Sequence, residues 1–481
     1  MIHRIIKIQN CGRFKRFTPS EKEYGWNGIF AQKNTIYAEN GSGKTTFTQI
    51  LKSLAHKDCD LVEKRKSLET NEPINILLCV NKNKMLTYGI HNWSSTVPHV
   101  EVYDNYYSES NMYIVSLGNY EAPSIFYDIV PNGYNLINKI KKLRHKRSNY
   151  PANIRRTKHN ISLTNDPQEY NRLINILNEQ IEKRQQISEI IKILEKELDH
   201  QIEQVEKKYI ETTNQYLKRF NPNLEIKKAN KQGQQLVYHI NINGIEVRSD
   251  ISNIPLKHTL SEGDKSSLSL SFFLARLDLL PHLEKRIIVF DDPISSFDTR
   301  RRRMTISILS RIASRAKQFF LLSHDIHFVK DFYDNNQDCL NLKIVYKNES
   351  SVFIKHDIDI ETMTGIYKDI YTLKKYLSDG ASTDLEKREV IRCIRPVIEG
   401  IFRIKYFFKD DEWLGDFLKK IRNSNKQSPL YRLKEYYNDL SDINDYGKRY
   451  HHSNPKYMEV PIFDEELKLF VQNTLNMLSY I

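Results

Sequence analysis

An α/β fold with a helical insertion and an all-α C-terminal domain is what this 481-residue sequence predicts, on three features. The apolar Thr35-Ile36-Tyr37 leads through a loop of small residues into a helix-like run, and the apolar Arg286-Ile287-Ile288-Val289-Phe290 ends in two adjacent carboxylates. Between them, from about residue 134 to 220, the composition shifts to Lys, Arg, Glu, Gln, Ile and Leu. Strand–loop–helix order at the start and a strand ending in acids later are the marks of a sheet whose edge carries the chemistry.

The first of these stretches is Ala38-Glu39-Asn40-Gly41-Ser42-Gly43-Lys44-Thr45-Thr46, followed by Phe47-Thr48-Gln49-Ile50-Leu51. Small residues at 41 to 43 let successive backbone N–H groups converge on a phosphate, and the helix start adds its positive end. Lys44 then reaches the β- and γ-phosphates of ATP, and the Thr45 hydroxyl stands where a bridging Mg²⁺ needs an oxygen. The stretch is a P-loop, and Asn40, Gly41, Ser42, Gly43, Lys44, Thr45 and Thr46 are the candidate nucleotide-binding residues. Ala38 stands where the pattern GxxxxGK[ST] has its first Gly, a mild replacement if that position needs no positive φ.

Length and composition set the bounds. A chain this long exceeds one domain. Its 40% hydrophobic and 11% aromatic content excludes a disordered chain, and no apolar run approaches the roughly 20 residues of a membrane span. Met1-Ile2-His3-Arg4-Ile5-Ile6-Lys7-Ile8 alternates like a strand and lacks a signal-peptide pattern, so the chain is expected in the cytoplasm, away from membranes. Cys11, Cys59, Cys79, Cys339 and Cys393 are scattered without a CxxC pair, which argues for reduced thiols and against a zinc site or a disulfide framework. A net charge of +13 favours an anionic partner, nucleic acid first.

After the P-loop helix, Ile74-Asn75-Ile76-Leu77-Leu78-Cys79-Val80 and Val100-Glu101-Val102-Tyr103 read as strands extending the sheet. The insertion breaks at Asn149-Tyr150-Pro151, and Ile187, Ile191, Leu194, Leu198, Val205 and Tyr209 recur at steps near 3 and 4, the seam of a coiled coil. About 45 helical residues give an arm of roughly 65 Å. Its first half is basic, with Lys139, Lys141, Lys142, Arg144, His145, Lys146, Arg147, Arg155, Arg156 and Lys158, which is either a track for phosphates or a solvated face.

A strand at Leu236-Val237-Tyr238-His239-Ile240-Asn241-Ile242 precedes Leu260-Ser261-Glu262-Gly263-Asp264-Lys265-Ser266-Ser267 and an apolar helix. Ser261, Glu262 and Gly263 form either a phosphate-binding helix start or an ordinary N-cap. The strand ending in Asp291 and Asp292 places Asp291 for the metal and Asp292 for orienting or deprotonating the attacking water. Ser295-Ser296-Phe297-Asp298 reads as a turn, and Phe319-Phe320-Leu321-Leu322-Ser323 as a strand that delivers His324 to the same sheet edge, within reach of the γ-phosphate.

Gly41-Ser42-Gly43-Lys44-Thr45, Leu260-Ser261-Glu262-Gly263, Phe290-Asp291-Asp292-Pro293, Ser296-Phe297-Asp298 and His324, in this order, resemble the ABC-type ATPases of the SMC and recombination-repair group over roughly residues 1 to 335. The resemblance implies a homodimer of heads, or a higher oligomer, with ATP held between the P-loop of one subunit and Ser261-Glu262-Gly263 of the other. It makes Asp298 the D-loop acid and His324 the switch histidine. Such ATPases often carry a glutamine loop after the second strand; residues 104 to 111 contain no Gln. The wording YAENGSGKTT, LSEGDKS and FDDPISSFD looks closest to bacterial defence ATPases, namely PtuA of Septu and retron systems and the ATPase domains of the PrrC and RloC anticodon nucleases. Asp292 stands where the larger family commonly has Glu, which implies slow hydrolysis.

From about Asp357 the chain reads as a helical domain, with a break at Asp379-Gly380-Ala381-Ser382 and a helix from Asp384 through Phe408. Arg395 and Glu399 share a helix face by their i, i+4 spacing, with Arg392 one turn earlier and Arg449-Tyr450-His451-His452 further on. Arg395, Glu399, His451 and His452 resemble the RNA-cutting site of PrrC-like nucleases; the alternative is a salt bridge and a polar loop. The expected organisation is 1–133, N-terminal lobe of the head; 134–220, arm; 221–356, C-terminal lobe; and 357–481, helical domain. Three functions follow: an ATPase controlling a separate HNH-type nuclease in anti-phage defence, a self-contained tRNA nuclease, or a DNA-repair ATPase whose arm grips DNA.

Overall fold

The structure, a computed structural model, describes the chain except residues 57, 69, 82, 90–91, 98, 108–132, 233–234, 249–259, 295–296, 408–411 and 451–457. It divides into two compact units, Met1–His356 and Asp357–Ile481.

In the first unit the strands are β1 (Ile2–Cys11), β2 (Phe14–Phe17), β3 (Lys33–Ala38), β4 (Asn75–Val80), β5 (Lys84–Gly89), β6 (Asn92–Trp93), β7 (Val100–Tyr103), β8 (Leu224–Gln232), β9 (Gln235–Ile242), β10 (Ile245–Arg248), β11 (Ile287–Asp291), β12 (Gln318–Ser323), β13 (Leu340–Lys347) and β14 (Ser350–Lys355). They form a six-stranded sheet in the order β14-β13-β3-β12-β11-β7, a five-stranded sheet β2-β1-β4-β5-β6 and a three-stranded sheet β10-β9-β8. In the first of these, β13, β3, β12, β11 and β7 run parallel. Their register pairs Ser323 with Tyr37, Asp291 with Leu322 and Phe290 with Tyr103. The carboxyl ends of β3, β12, β11 and β7 therefore line one edge, the side on which open α/β sheets bind ligands.

The runs at 74–80 and 100–103 do not extend one sheet as expected. β4 pairs antiparallel with β1, whereas β7 pairs parallel with β11. β7 is buried at all four positions, as a strand covered on both faces must be, and β4 leaves alternate residues at its start only half-buried. The two sheets meet on aromatic rings. Phe353 of β14 lies 5.5 Å from Phe14 and Phe17, 5.6 Å from Trp26 and 5.1 Å from Phe47.

The P-loop helix is α1 (Lys44–His56). The arm comprises α2 (Gly133–Ser148), α3 (Tyr150–Leu163) and α4 (Pro167–Phe220). α4 is a single helix of 54 residues, about 81 Å at 1.5 Å each and longer than the sequence suggested. Asp166 caps it by accepting from Gln168 N–H, Pro167 fits its first turn, and neither Gly nor Pro follows before Phe220 to stop it. Ile187, Ile191, Leu194, Leu198, Ile202 and Tyr209 are its buried seam, and Val205 is partly buried. α2 and α3 run back along it, with Arg144 donating to Glu195 and Thr157 to Gln180. The lobe is completed by α5 (Glu262–Leu279), α6 (Thr299–Arg315) and α7 (Ile326–Asp334).

The second unit contains α8 (Gly365–Asp379), α9 (Asp384–Tyr406), α10 (Leu414–Asn423), α11 (Tyr437–Arg449) and α12 (Asp464–Met477). α8 ends at Gly380, φ +75°, and Thr383 with Glu386 forms a capping box that starts α9. Phe402, Phe417, Leu440, Tyr446 and Val471 centre its separate core.

Phe353→Ala is expected to cost about 3–5 kcal/mol, because it opens a cavity where both sheets and the P-loop helix meet; urea unfolding of the full chain measures it.

Candidate functional site

The P-loop leaves β3 at Ala38 and enters α1 at Lys44. Gly41 has φ +77° and Gly43 φ +114°. A Cβ on Gly43 would stand 2.9 Å from the Phe14 ring, so this position admits only glycine. Ser42 Oγ donates to Glu39 O at 2.5 Å, and Ser351 Oγ donates to Ser42 O at 2.6 Å, fixing the loop from both sides. Thr45 is exposed at the helix start, and Thr46 is buried beneath Gly12.

Lys44 is only 6% exposed. Its Nζ donates to Ala38 O at 2.8 Å and lies 3.5 Å from Asp292 Oδ2. The Asp292 backbone takes φ +49°, a conformation that Asp tolerates better than most residues, while its N–H continues the sheet by donating to Leu322 O at 2.9 Å. Its Oδ1 meets the His324 N–H at 2.9 Å and His324 Nδ1 at 2.8 Å. A carboxylate acceptor puts the ring proton on Nδ1 and leaves Nε2 for other contacts. Lys44, Asp292 and His324, expected together from sequence, thus form one connected chain of polar contacts.

Asp291, one residue earlier, is buried and its Oδ1 has no hydrogen-bond partner. Burial, and then the Asp292 charge beside it, push its carboxyl up to about 7, against the pull of the Thr48 hydroxyl and the Lys44 ammonium. An unmatched carboxylate oxygen beside a buried lysine and an exposed threonine hydroxyl fits a divalent cation bound with a nucleotide's phosphates. The residues present suit Mg²⁺-ATP: Thr45 and Asp291 would hold the metal, and the glycine loop with Lys44 the phosphates.

The remaining residues predicted for nucleotide contact lie elsewhere on the head. Ser261 caps α5 in a capping box with Asp264, and Glu262 pairs with Lys265 at 2.6 Å. Asp298 caps α6 by accepting from Arg301 N–H at 2.8 Å. Ser261, Glu262 and Asp298 are exposed, Gly263 is half-buried beside them, and among the described residues no hydrogen bond or ion pair joins them to Lys44, Asp291, Asp292 or His324. Both features touch the foot of α4: Asn221 Nδ2 donates to Asp264 Oδ1 at 2.6 Å, and the Phe220 and Phe297 rings are 5.7 Å apart. Ser295 and Ser296 of the expected turn lie outside the described residues.

In the second unit, Arg395 Nη2 donates to Glu399 Oε1 at 3.2 Å, and Glu399, 2% exposed, also accepts from Leu414 N–H at 3.0 Å. The pair borders a cavity of about 410 Å³ shared with Arg392, Trp413 and Tyr450. His451 and His452 lie outside the described residues.

Two groups near the P-loop escaped sequence reasoning. Asp104 follows β7 and is bonded to Gln49 and Lys52 of α1; an apolar strand ending in an acid, the same sign that marks Asp291, could have found it. Arg13 stacks over the Tyr346 ring at 5.3 Å, and its Nη2 comes within 3.8 Å of where a Cβ on Gly41 would lie. That approach is tertiary and leaves no local pattern.

A phosphate loop on an interior parallel strand, two carboxylates on a neighbouring strand and a histidine from the strand between them define a P-loop ATPase head of the ABC type. Residues 168–442, more than half of the chain, match a family described as an AAA domain, and the chain belongs to that family. The matched span takes in α4 from Gln168 onward, Ser261 to Gly263, β11 and His324 and continues into the second unit; the P-loop precedes it. Among solved structures the chain is similar to the Smc head domain of Pyrococcus furiosus, with an extended coiled coil and the C-terminal domain of ScpA bound. That match has 13% identity over 74% of this chain and 96% of that one, with a TM-score of 0.48. The Smc head of Pyrococcus yayanosii with a coiled coil and joint matches at 9% identity, covering 74% and 97%, TM-score 0.43. The recombination mediator RecF with ATP matches at 13%, covering 71% and 96%, TM-score 0.36. No curated protein matches the sequence.

Lys44→Ala is expected to weaken binding of a fluorescent ATP analogue by about 100-fold or more, roughly 2.7 kcal/mol; binding at wild-type strength refutes the P-loop assignment. Asp291 gives a pH signature. Its folded-state value lies above the ordinary carboxyl value, so the folded chain binds more protons than the unfolded one between about pH 4 and 7, and stability falls as pH rises through that window. Asp291→Asn should therefore stabilise the nucleotide-free protein at pH 8 by up to about 4 kcal/mol, and by almost nothing at pH 4, in urea unfolding at both pH values.

Proposed function

We propose that this chain is an ATP-driven clamp: two heads close on Mg²⁺-ATP, hydrolysis releases them, and the change controls a nuclease in bacterial anti-phage defence. The observation that carries the ATPase part is the connected Lys44–Asp292–His324 chain beside the unmatched Asp291 oxygen.

Bound Mg²⁺ would supply charge to offset that developing on the phosphates. The glycine loop binds the phosphate tail through its backbone N–H groups, and Lys44 neutralises the terminal phosphates. Asp292 orients the attacking water and accepts its proton on Oδ2, while its Oδ1 holds His324. His324 turns Nε2 toward the γ-phosphate and meets it as a donor in its doubly protonated form. The shorter reach of Asp compared with Glu supports slow turnover, which suits a switch better than a motor.

The exposure of Ser261, Glu262 and Asp298, apart from the chain's own Lys44 and acids, supports their action across a head-to-head dimer, where the α5 start caps the partner's nucleotide. Resemblance of the motif wording to PtuA-type ATPases supports a defence role with an HNH-type partner. The cavity at Arg395 and Glu399 supports a second reading, a tRNA nuclease within the chain. Glu399 favours the first, because its carboxylate is buried and engaged by both Arg395 and the Leu414 N–H. The basic face of α2 and α3 supports contact with DNA or RNA.

Asp292→Asn is expected to bind ATP, lose turnover by about 100-fold and accumulate as a dimer on ATP addition, as read by light scattering; normal hydrolysis refutes the role given to Asp292. The purified chain with Mg²⁺-ATP should leave tRNA and plasmid DNA intact. Cleavage of tRNA that disappears in Arg395→Ala/His451→Ala/His452→Ala would establish the second reading instead.

A further inference from the structure

The buried carboxylate next to Asp291 has a different fate from it. Register pairs Tyr103 of β7 with Phe290 of β11, so Asp104 and Asp291 follow side by side at the ends of adjacent strands. Asp291 keeps an oxygen without a partner, whereas Asp104, 1% exposed, is saturated. Its Oδ2 accepts from Gln49 Nε2 at 2.7 Å and Lys52 Nζ at 2.9 Å, and its Oδ1 from Tyr107 N–H at 2.7 Å and Lys52 Nζ at 3.2 Å. With both oxygens taken, Asp104 is no metal ligand.

The contacts continue into a closed circuit. Lys52 Nζ lies 5.9 Å from the Tyr106 ring centroid, and Tyr106 OH accepts from Arg65 at 3.3 Å. Arg65 O in turn accepts from Gly12 N–H at 2.5 Å, and Gly12 packs so closely on Thr46 that a Cβ there would stand 2.6 Å from its Oγ1. Thr46, Gln49 and Lys52 all belong to α1. The circuit thus runs from the P-loop helix through the β1–β2 turn to the end of β7 and back.

Packing does not require this arrangement. α1 already buries Phe47, Ile50, Leu51 and Leu54, and an apolar residue at 104 would avoid the cost of desolvating a carboxylate and an ammonium. What a charged, many-donor contact adds over apolar packing is a fixed direction. Resting on the ATPase reading above, we infer that Asp104 is a positioning residue for ATP hydrolysis: it sets the seat of the P-loop helix, and so of Lys44 and Thr45, relative to Asp291 and Asp292 on β11. Misplacing such groups by about 1 Å is enough to cost on the order of 100-fold in rate.

The test uses the full chain as wild type, Asp104→Ala, Asp104→Asn, Lys52→Met and the double variant Lys52→Met/Asp104→Ala, with Lys44→Ala as control. ATP turnover and binding of a fluorescent ATP analogue are read separately. Asp104→Ala is expected to lower kcat by about 10-fold or more while the nucleotide Kd stays within about 3-fold, since geometry rather than ground-state binding is lost. Asp104→Asn, which keeps the shape and part of the hydrogen bonding, recovers part of that loss. The double variant should be no slower than Asp104→Ala, because both residues act through one contact. A kcat within twofold of wild type in Asp104→Ala overturns the inference. So does a fall in kcat matched by equal weakening of binding and by loss of thermal stability in every variant, which is the signature of a structural role. A wild-type chain without Lys44-dependent turnover overturns the ATPase reading, and this role with it.

Discussion

A lysine ammonium held almost out of water is the constraint around which the head is arranged. A Lys44 ammonium at 6% exposure needs oxygen atoms to replace its water, and the chain supplies the Ala38 carbonyl and the Asp292 carboxylate. Supplying them requires β3 and β11 to end at the same level with β12 between them, which the parallel register does. The positive φ at Asp292 follows from the same need, since it turns the side chain toward Lys44 and His324 after the strand has ended on Asp291. Apolar rings then fill the space behind, with Phe47 of the P-loop helix against Phe353 and Phe320.

The parts of this arrangement that sequence made legible are those written locally. Glycines with an adjacent lysine, an apolar strand closing on two acids, and a strand followed by histidine each occupy a few contiguous residues, and their shared sheet edge follows from strand direction. The seam of α4 was legible for the same reason, because helical spacing repeats in the chain itself. Sheet membership was not. β4 and β7 look alike as apolar runs, and only their long-range partners, β1 and β11, assign them to different layers. The length of α4 was underestimated because helix continuity depends on the absence of a stop signal, which is weaker to read than the presence of one. Asp104 closes an apolar strand as Asp291 does and could have been read the same way, but Arg13 joins the site through a contact far apart in the chain, and nothing in its immediate neighbours announced it.

The C-terminal unit illustrates the limit of motif reading in another way. The spacing of Arg395 and Glu399 located a real ion pair, but spacing alone says nothing of burial, and it is burial that ties Glu399 to the Leu414 backbone. Gly447 shows how closely that region is fitted: a Cβ there would stand 2.6 Å from Arg395 Cδ, so the absence of a side chain on α11 makes room for the arginine stem.

The foot of α4 is fastened at two points, through Asn221 to the Asp264 capping box and through Phe220 to the ring that precedes Asp298. A 54-residue helix anchored in this way is a lever with its fulcrum beside Ser261–Gly263 and Asp298. Over its length of about 81 Å, a tilt of about 10° at the foot carries the far end through about 14 Å. An adjustment of about one or two ångströms at that foot is thereby magnified into a displacement larger than the diameter of a helix.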